Sequence, residues 1–271
     1  MAEEPDSASL WIRRFHPSLD AESRLVCLPH AGGSASFFLP VSQALAPHCE
    51  VLAVQYPGRQ DRRTEKCIEN VPELADAVTE QLLTWTDRPL ALFGHSLGAI
   101  LAFEVAGRLE DKGVALTALF ASGRRAPSRH RHETVHTLND DGLIAELKAL
   151  NGTNHKLLAD DEILRMALPA IRSDYTAVET YRYIEGTAPL RTPIQAHIGL
   201  DDPKVTSDEA RDWARHTHGG FSLRTYPGGH FYLASQAEPL IEAIREVVFN
   251  KDHRITEVPN AIAVPRPLVR E

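Results

Sequence analysis

Residues 90–99, Leu-Ala-Leu-Phe-Gly-His-Ser-Leu-Gly-Ala, are the most informative segment for the fold, because they join a strand pattern to a helix pattern through one short turn. The first four residues are apolar, as in a buried strand, and apolar residues recur at helical spacing from Ile100 onward. Gly94 and Gly98 permit a sharp turn between the two elements. The turn would lift the hydroxyl of Ser96 out of the sheet, at the start of a helix whose N–H groups favour negative charge.

Short apolar runs on either side of this stretch alternate with amphipathic helix patterns, which is typical of a mostly parallel sheet flanked by helices. Strands are predicted over residues 25–28, 51–54, 90–93, 116–121, 194–198 and 221–226, with a further edge strand over 11–15. This pattern, with a serine at the turn, predicts an α/β-hydrolase fold in a single domain over residues 10–250.

The segment from about 127 to 189 does not continue the alternation and has helical patterns instead. One helix is predicted over 141–150, and another begins near Asp160 and Asp161. We interpret this insertion as a lid over the site, although an ordinary extra pair of crossover helices would give the same pattern. Residues 251–271 contain three prolines and little periodicity, so we expect an extended or disordered tail there.

The composition indicates which kinds of partner and which cellular compartment to expect. The formal net charge of −8 argues against nucleic acid as a partner, because phosphate binding needs a basic face. No apolar run approaches the ~18 residues that a membrane span needs, and the acidic N-terminus does not resemble a signal peptide. Cys27, Cys49 and Cys67 form no C-x-x-C pair, which favours reduced thiols. We therefore expect a soluble cytoplasmic protein without a membrane partner.

A serine hydroxyl is a weak nucleophile, so Ser96 needs a base that removes its proton and an acid that orients the base. In this fold the order along the chain is serine, acid, histidine. His230 is the predicted base, because it follows the last strand in a Gly-Gly-His loop. Asp202 is the predicted acid after the preceding strand. Asp201 is the alternative, and either aspartate could simply form a turn.

The oxyanion that forms during acyl transfer needs N–H donors. The backbone N–H groups of Leu97 and Ala31 are predicted to supply them, Ala31 from the loop that follows the first core strand. His30 in that loop could hydrogen-bond the substrate or brace the loop, and both interpretations stay open. His95 is predicted to pack inside the turn rather than to take part in the chemistry. No cofactor or metal ion is expected.

Five motifs resemble those of the type II thioesterases, the free-standing editing enzymes of polyketide and nonribosomal peptide synthesis. They are Leu-Pro-His-Ala-Gly-Gly-Ser at 28–34, Gln-Tyr-Pro-Gly-Arg at 55–59, Phe-Gly-His-Ser-Leu-Gly-Ala at 93–99, Leu-Pro-Ala-Ile-Arg-Ser-Asp-Tyr at 168–175 and Gly-Gly-His-Phe-Tyr at 228–232. The second and fourth discriminate best, because α/β-hydrolases in general lack them. The resemblance covers about residues 11–248.

The resemblance implies hydrolysis of acyl groups from the phosphopantetheine thiol of acyl carrier or peptidyl carrier proteins, met in trans, which releases stalled synthases. The phosphopantetheine belongs to the substrate and is not a cofactor of this chain. A small-molecule carboxylesterase or lipase is the alternative enzyme. An inactive hydrolase-fold binding module is a third possibility, against which the presence of Ser96, Asp202 and His230 argues.

Two groups of arginines could attract a carrier protein that is itself acidic, as the resemblance implies, although the net charge of this chain would repel it. They are Arg124, Arg125, Arg129 and Arg131 after one strand, and Arg59, Arg62 and Arg63 after another. The planar guanidinium suits both carboxylates and phosphate. We hypothesise that one of these groups meets the acidic helix of the carrier protein or the phosphate of its arm; the alternative is that all are solvated loop charges.

Overall fold

A computed structural model describes residues 10–150 and 161–249. A seven-stranded sheet lies at its centre in the order β1-β3-β2-β4-β5-β6-β7, in which β1 is antiparallel to β3 and the other neighbours are parallel. The strands are β1 (Ile12–Arg13), β2 (Ser23–Leu28), β3 (Cys49–Val54), β4 (Leu90–His95), β5 (Leu116–Ser122), β6 (Ile194–Gly199) and β7 (Phe221–Tyr226). The predicted strands are confirmed, although the edge strand is shorter than residues 11–15.

Helices connect the strands and flank both faces of the sheet. In the described ranges they are α1 (Leu39–Leu45), α2 (Val71–Leu82), α3 (Leu97–Asp111), α4 (Asp140–Ala149), α5 (Asp161–Thr180), α6 (Ser207–Arg211), α7 (Tyr232–Ser235) and α8 (Ala237–Val248). Single 3-10 turns lie at Ala35–Phe38, Gln60–Arg62, Leu83–Trp85, Val135–Thr137 and Asp212–His216. This is the α/β-hydrolase fold predicted from the sequence. The predicted tail, 251–271, lies outside the described residues.

Both faces of the sheet are covered by apolar side chains, which explains why the strands are continuous apolar runs rather than alternating ones. Val26 and Leu92 lie in a core cluster with residues of α2 and α3. Leu25 and Phe93, their neighbours in sequence, lie in a second cluster on the opposite face with residues of α1 and α8. Successive residues therefore stabilise different layers, each buried leucine by about 1.5–3 kcal/mol.

The predicted helical insertion contains α4 and α5 and has an apolar core of its own. Asn139 caps α4, because its side chain accepts a hydrogen bond from the Gly142 N–H at 2.9 Å. Leu143 of α4 packs in one cluster with Ile171 of α5, and Ala31 of the site loop packs against this cluster. The insertion therefore contacts the loop that follows β2, where a lid would have to lie.

Two expectations drawn from composition can be compared with the described ranges. The three cysteines are unpaired in the structure, and Cys27 and Cys49 are buried in the sheet. Among the helices of residues 10–150 and 161–249, none has the length and apolar character needed to cross a bilayer.

The turn from β4 into α3 has a strained backbone. Ser96 has a φ of 55° and a ψ of −112°, a conformation that side-chain-bearing residues seldom adopt. Its N–H donates to the carbonyl oxygen of Ser122 at 2.8 Å, which ties the turn to β5. A Cβ at Gly98 would lie 2.1 Å from the carbonyl oxygen of Leu28. The first turn of α3 thus rests directly on the end of β2, and only glycine fits there.

We expect Gly98→Ala to lower the free energy of unfolding by about 2 kcal/mol or more, because the added methyl must displace the backbone of β2. Gly107→Ala in the same helix is the matched control, since its Cβ would lie 3.9 Å from the nearest atom, a methyl of Leu190. That change should raise stability by about 0.5–1 kcal/mol. Urea unfolding followed by circular dichroism measures both, and equal stability of the two variants would refute the contact.

Candidate active site

The parallel register brings the ends of the strands to one edge of the sheet. Leu28 pairs with Gly94, and Gly199 pairs with Tyr226. The loops that follow β2, β4, β6 and β7 therefore lie side by side at the carboxyl edge, where sites of open α/β sheets are found. These four loops carry the predicted oxyanion donor Ala31, nucleophile, acid and base.

The structure places Asp202 and His230 in direct contact. The Nδ1 of His230 lies 2.9 Å from Oδ2 and 3.0 Å from Oδ1 of Asp202, and both side chains are buried. The loops can approach because Gly199 has no side chain: a Cβ there would lie 2.3 Å from the carbonyl oxygen of Gly229. Asp201, the alternative acid, is exposed and makes no such contact with the histidine.

Ser96 and His230 line one cavity together with Ala31. Its volume is about 20 Å³, and the other lining residues are Arg124, Glu133, Leu150, Tyr175, Val178, Glu179 and Lys204. This space holds about one water molecule and is too small for an acyl chain. Half of the lining residues, Glu133, Leu150, Tyr175, Val178 and Glu179, belong to the insertion. In the described ranges, no group of three or more His, Cys, Asp or Glu could hold a metal ion.

The loop after β2 has most of its N–H groups engaged. Gly32 N–H donates to Oδ2 of Asp174 at 2.7 Å, and Gly33 N–H donates to the carbonyl oxygen of His30 at 2.8 Å. Ala31, by contrast, lines the cavity of Ser96. Leu97 is the first residue of α3, so its N–H is one of those that lack a partner within the helix. Both predicted oxyanion donors thus adjoin the serine.

A buried ion pair that the sequence did not predict holds this loop. Arg59 donates to both carboxylate oxygens of Asp174, at 2.7 and 2.8 Å, and to the carbonyl oxygen of Gly33 at 3.1 Å. Burial by itself would lower the pKa of Arg59, but the charge of Asp174 and its hydrogen bonds raise it above its ordinary value. One feature of the sequence could have indicated this pair. Arg59 lies in the motif at 55–59 and Asp174 in the motif at 168–175, the two motifs that discriminate the family best.

Asp174→Ala should lower the free energy of unfolding by about 3–5 kcal/mol, because it leaves the buried guanidinium of Arg59 without its counter-charge. Asp140→Ala is the control, since it removes an ion pair with Arg172 that is largely open to solvent. We expect Asp140→Ala to lower the free energy of unfolding by about 1 kcal/mol at most. Urea titrations of both variants give the comparison, and a loss for Asp174→Ala no greater than that of the control would contradict the assignment.

His30 and His95 pack around His230 as uncharged rings. His30 lies edge-on to Phe37 and Phe231, with ring centroids 4.8 Å away in each case. The Nδ1 of His95 lies 2.9 Å from the hydroxyl of Ser122. Burial, followed by the charge of His230, lowers the pKa of His30 to about 3 and that of His95 well below its ordinary value. His95 is packed as predicted, and the contacts of His30 favour the bracing interpretation.

The lowered pKa of His30 gives stability a definite dependence on pH. The folded protein keeps this ring neutral down to about pH 3, whereas the unfolded chain binds a proton below about pH 6.5. The contribution of the neutral His30 ring to the free energy of unfolding is therefore fully present above pH 6.5 and is lost as the pH falls towards 3. Between pH 7 and pH 5 the loss from this ring is roughly 2 kcal/mol. His30→Gln should flatten the pH dependence of urea unfolding by this amount, and an unchanged slope would refute it.

For most of these arginines, burial contradicts the alternative of solvated charges and also a contact with an acidic helix at the protein surface. Arg59, Arg62, Arg124 and Arg125 are buried, with exposures of 8%, 4%, 7% and 3%. Arg129 and Arg131 form ion pairs with Asp212 and Glu209. Arg63 is exposed. Buried guanidinium groups cannot meet a partner protein at its surface, so any carrier contact needs another explanation.

A family model described as a thioesterase domain matches residues 23–248. The chain belongs to the thioesterase family. It is 49% identical over 263 residues to thioesterase PikA5 of Streptomyces venezuelae, covering 94% of this chain and 92% of that one. It is 51% identical over 247 residues to a probable cadicidin biosynthesis thioesterase of Streptomyces griseus, covering 90% of this chain and 67% of that one.

Two solved structures show the same relationship. The type II thioesterase BorB of the borrelidin biosynthetic cluster superposes with a TM-score of 0.84 at 53% identity, covering 88% of this chain and 98% of BorB. YbtT, a type II thioesterase of the yersiniabactin pathway, gives 0.78 at 30% identity over the same shares. The family resemblance and the fold predicted from the motifs are confirmed. This thioesterase is therefore a hydrolase that acts on thioesters.

Proposed function

We propose that this thioesterase removes acyl groups from the phosphopantetheine arm of acyl carrier or peptidyl carrier proteins, acting in trans on a polyketide or nonribosomal peptide synthase. The relatives support this substrate class, since BorB and YbtT carry the names of biosynthetic pathways in their descriptions. The reaction is hydrolysis: the thioester carbon–sulfur bond breaks, and water supplies the hydroxyl of the released acid and the proton of the thiol.

The observation that supports the mechanism best is the contact between Asp202 and His230 in a cavity that Ser96 also lines. Asp202 accepts a hydrogen bond from Nδ1 of His230, which leaves Nε2 free to act as a base. Nε2 takes the proton of Ser96 as its Oγ attacks the thioester carbonyl. The N–H groups of Leu97 and Ala31 hold the oxyanion, at the positive end of α3.

The tetrahedral intermediate collapses when the carbon–sulfur bond breaks and His230 gives its proton to the departing thiolate. The acyl group is then an ester of Ser96. In the second half of the reaction His230 removes a proton from water, the hydroxide attacks the ester, and the same proton returns to Oγ as the acid leaves. A thiol is a better leaving group than an alcohol because its pKa is lower, about 8.5.

A carboxylesterase or lipase would use the same three side chains, so the leaving group has to be tested directly. A carrier protein with its arm acylated, and an ethyl ester of the same acyl group, form a suitable pair of substrates. Mass spectrometry measures hydrolysis of the carrier substrate as the loss of the acyl mass. We expect a kcat/KM for the acylated carrier far above that for the ester. A faster reaction with the ester would favour the carboxylesterase, and inertness towards both would favour a binding module.

The acid assignment has a matched control in the neighbouring aspartate. Ser96→Ala and Asp202→Asn should each lower kcat by roughly 10⁴-fold, because the three side chains act as one unit. Asp201→Asn should change kcat less than about threefold, since Asp201 is exposed and does not touch His230. A fluorophosphonate should also label the peptide that contains Ser96. A damaging Asp201→Asn with a mild Asp202→Asn would overturn the assignment.

A further inference from the structure

Arg124 is a buried cation without an ion-pair partner among the described residues. It follows β5, is only 7% exposed, and its Nε is buried and makes no hydrogen bond. Burial, followed by the positive charge of Arg125, lowers the pKa of Arg124 to about 10. A buried charge that is neither paired nor fully hydrogen-bonded opposes folding. Its position in the protein therefore calls for a ligand rather than a structural explanation.

The carboxylates near Arg124 are already engaged by other groups. Glu133 forms an ion pair with Arg125. Glu179 accepts hydrogen bonds from the backbone N–H groups of Val135 and His136, at 3.1 and 3.0 Å. Neither carboxylate forms an ion pair with Arg124. The guanidinium consequently retains donor capacity for an oxygen atom that comes from outside the protein.

Arg124 lies where two cavities adjoin. It lines the small cavity of Ser96 and also a cleft of about 690 Å³. Val178 and Glu179 line both spaces as well, so the cleft and the cavity of Ser96 adjoin along these three residues. The cleft runs between the segment after β5 and the chain that follows α5. Its charged and histidine side chains are Arg124, Arg125, Arg129, Arg131, Arg182, Arg215, His130, His216, Glu179 and Glu185.

The cleft is basic although the whole chain has a formal net charge of −8. Six arginines and two carboxylates line it. Arg125, Arg129 and Arg131 form ion pairs with carboxylates outside the lining, which leaves Arg124, Arg182 and Arg215 against Glu179 and Glu185. At its mouth Arg182 and Arg215 are exposed, and neither forms an ion pair within residues 10–150 and 161–249. A hydrocarbon acyl chain would gain little in such surroundings, whereas a phosphodiester or an amide oxygen would find donors there.

We propose that this cleft binds the phosphopantetheine arm of the substrate, with the phosphate at Arg182 and Arg215 and an amide carbonyl of the arm at Arg124. The assignment rests on the proposed carrier-protein substrate. It follows the order of groups in the arm, because the amides lie between the thioester and the phosphate. Arg124 lies near Ser96, which receives the acyl group, so the oxygen that contacts Arg124 belongs to the part of the arm next to the thioester. The phosphate, at the other end of the arm, then lies at the mouth of the cleft.

The mouth of the cleft can be tested with two small substrates that differ only in the phosphate. Acyl-phosphopantetheine and acyl-pantetheine carry the same acyl group, and the ratio of their kcat/KM values measures the effect of the phosphate. The wild-type ratio should be roughly tenfold in favour of the phosphorylated thioester, and it should fall towards one in Arg182→Gln with Arg215→Gln. Arg63→Gln with Arg211→Gln removes the same charge from exposed positions outside the cleft and should keep the wild-type ratio.

The inner end is tested by Arg124→Met, for which stability and kinetics should change in opposite directions. Removing an unpaired buried cation should raise the midpoint of urea unfolding, while KM for acyl-pantetheine rises about tenfold or more and kcat changes little. Arg124→Lys should restore part of the lost affinity. A merely structural arginine would instead give a lower midpoint with an unchanged KM, and that result would overturn the role of Arg124.

The outcomes separate this inference from the function on which it depends. If the wild-type enzyme cleaves both thioesters with a ratio near one, or if the ratio survives the Arg182 and Arg215 changes, the cleft does not hold the phosphate and the inference fails. Carrier-protein hydrolysis would remain in that case. If no acyl thioester of the arm is cleaved at all, the proposed function itself fails.

Discussion

The contact between the first turn of α3 and the end of β2, at Gly98, is the constraint on which the rest of the site depends. It fixes where α3 begins, and α3 fixes the strained backbone of Ser96 and the direction of the Leu97 N–H. The same contact sets the distance to the loop that carries Ala31. The proposed nucleophile and the proposed oxyanion donors are therefore positioned by one backbone approach, and side chains elsewhere in the core maintain it.

Two buried arginines near this contact differ in the groups that surround their positive charge. Arg59 has its carboxylate and its carbonyl acceptor, so it rigidifies the loop after β2 and joins it to the insertion. Arg124 has no carboxylate partner within residues 10–150 and 161–249, and it lines the two cavities instead. The ion pair of Arg59 stabilises the fold. The unpaired charge of Arg124 lowers stability, and we propose that it binds the substrate. Sites commonly retain such unfavourable groups because the substrate, rather than the protein, completes their hydrogen bonds.

The insertion and the neutral histidines govern the surroundings of the proposed reaction. The cavity at Ser96 has room for about one water molecule, and residues of the insertion form part of its lining. His30 and His95 remain uncharged beside His230, which means that His230 can gain a proton without two cationic neighbours. The lowered pKa values of His30 and His95 reduce stability in acid, because the unfolded chain binds protons that the folded protein does not.

Local periodicity and chain order in a parallel sheet were enough to predict the strand and helix order and the turn at Ser96, and they indicated His230 and Asp202 as the candidate base and acid. Short motifs with fixed spacing were enough to predict the family. The contacts of the arginines could not be predicted in this way. Arg59 meets Asp174 across 115 residues of chain, and Arg124 is buried beneath the insertion. Burial and pairing of this kind arise from packing between distant segments, which no local pattern encodes.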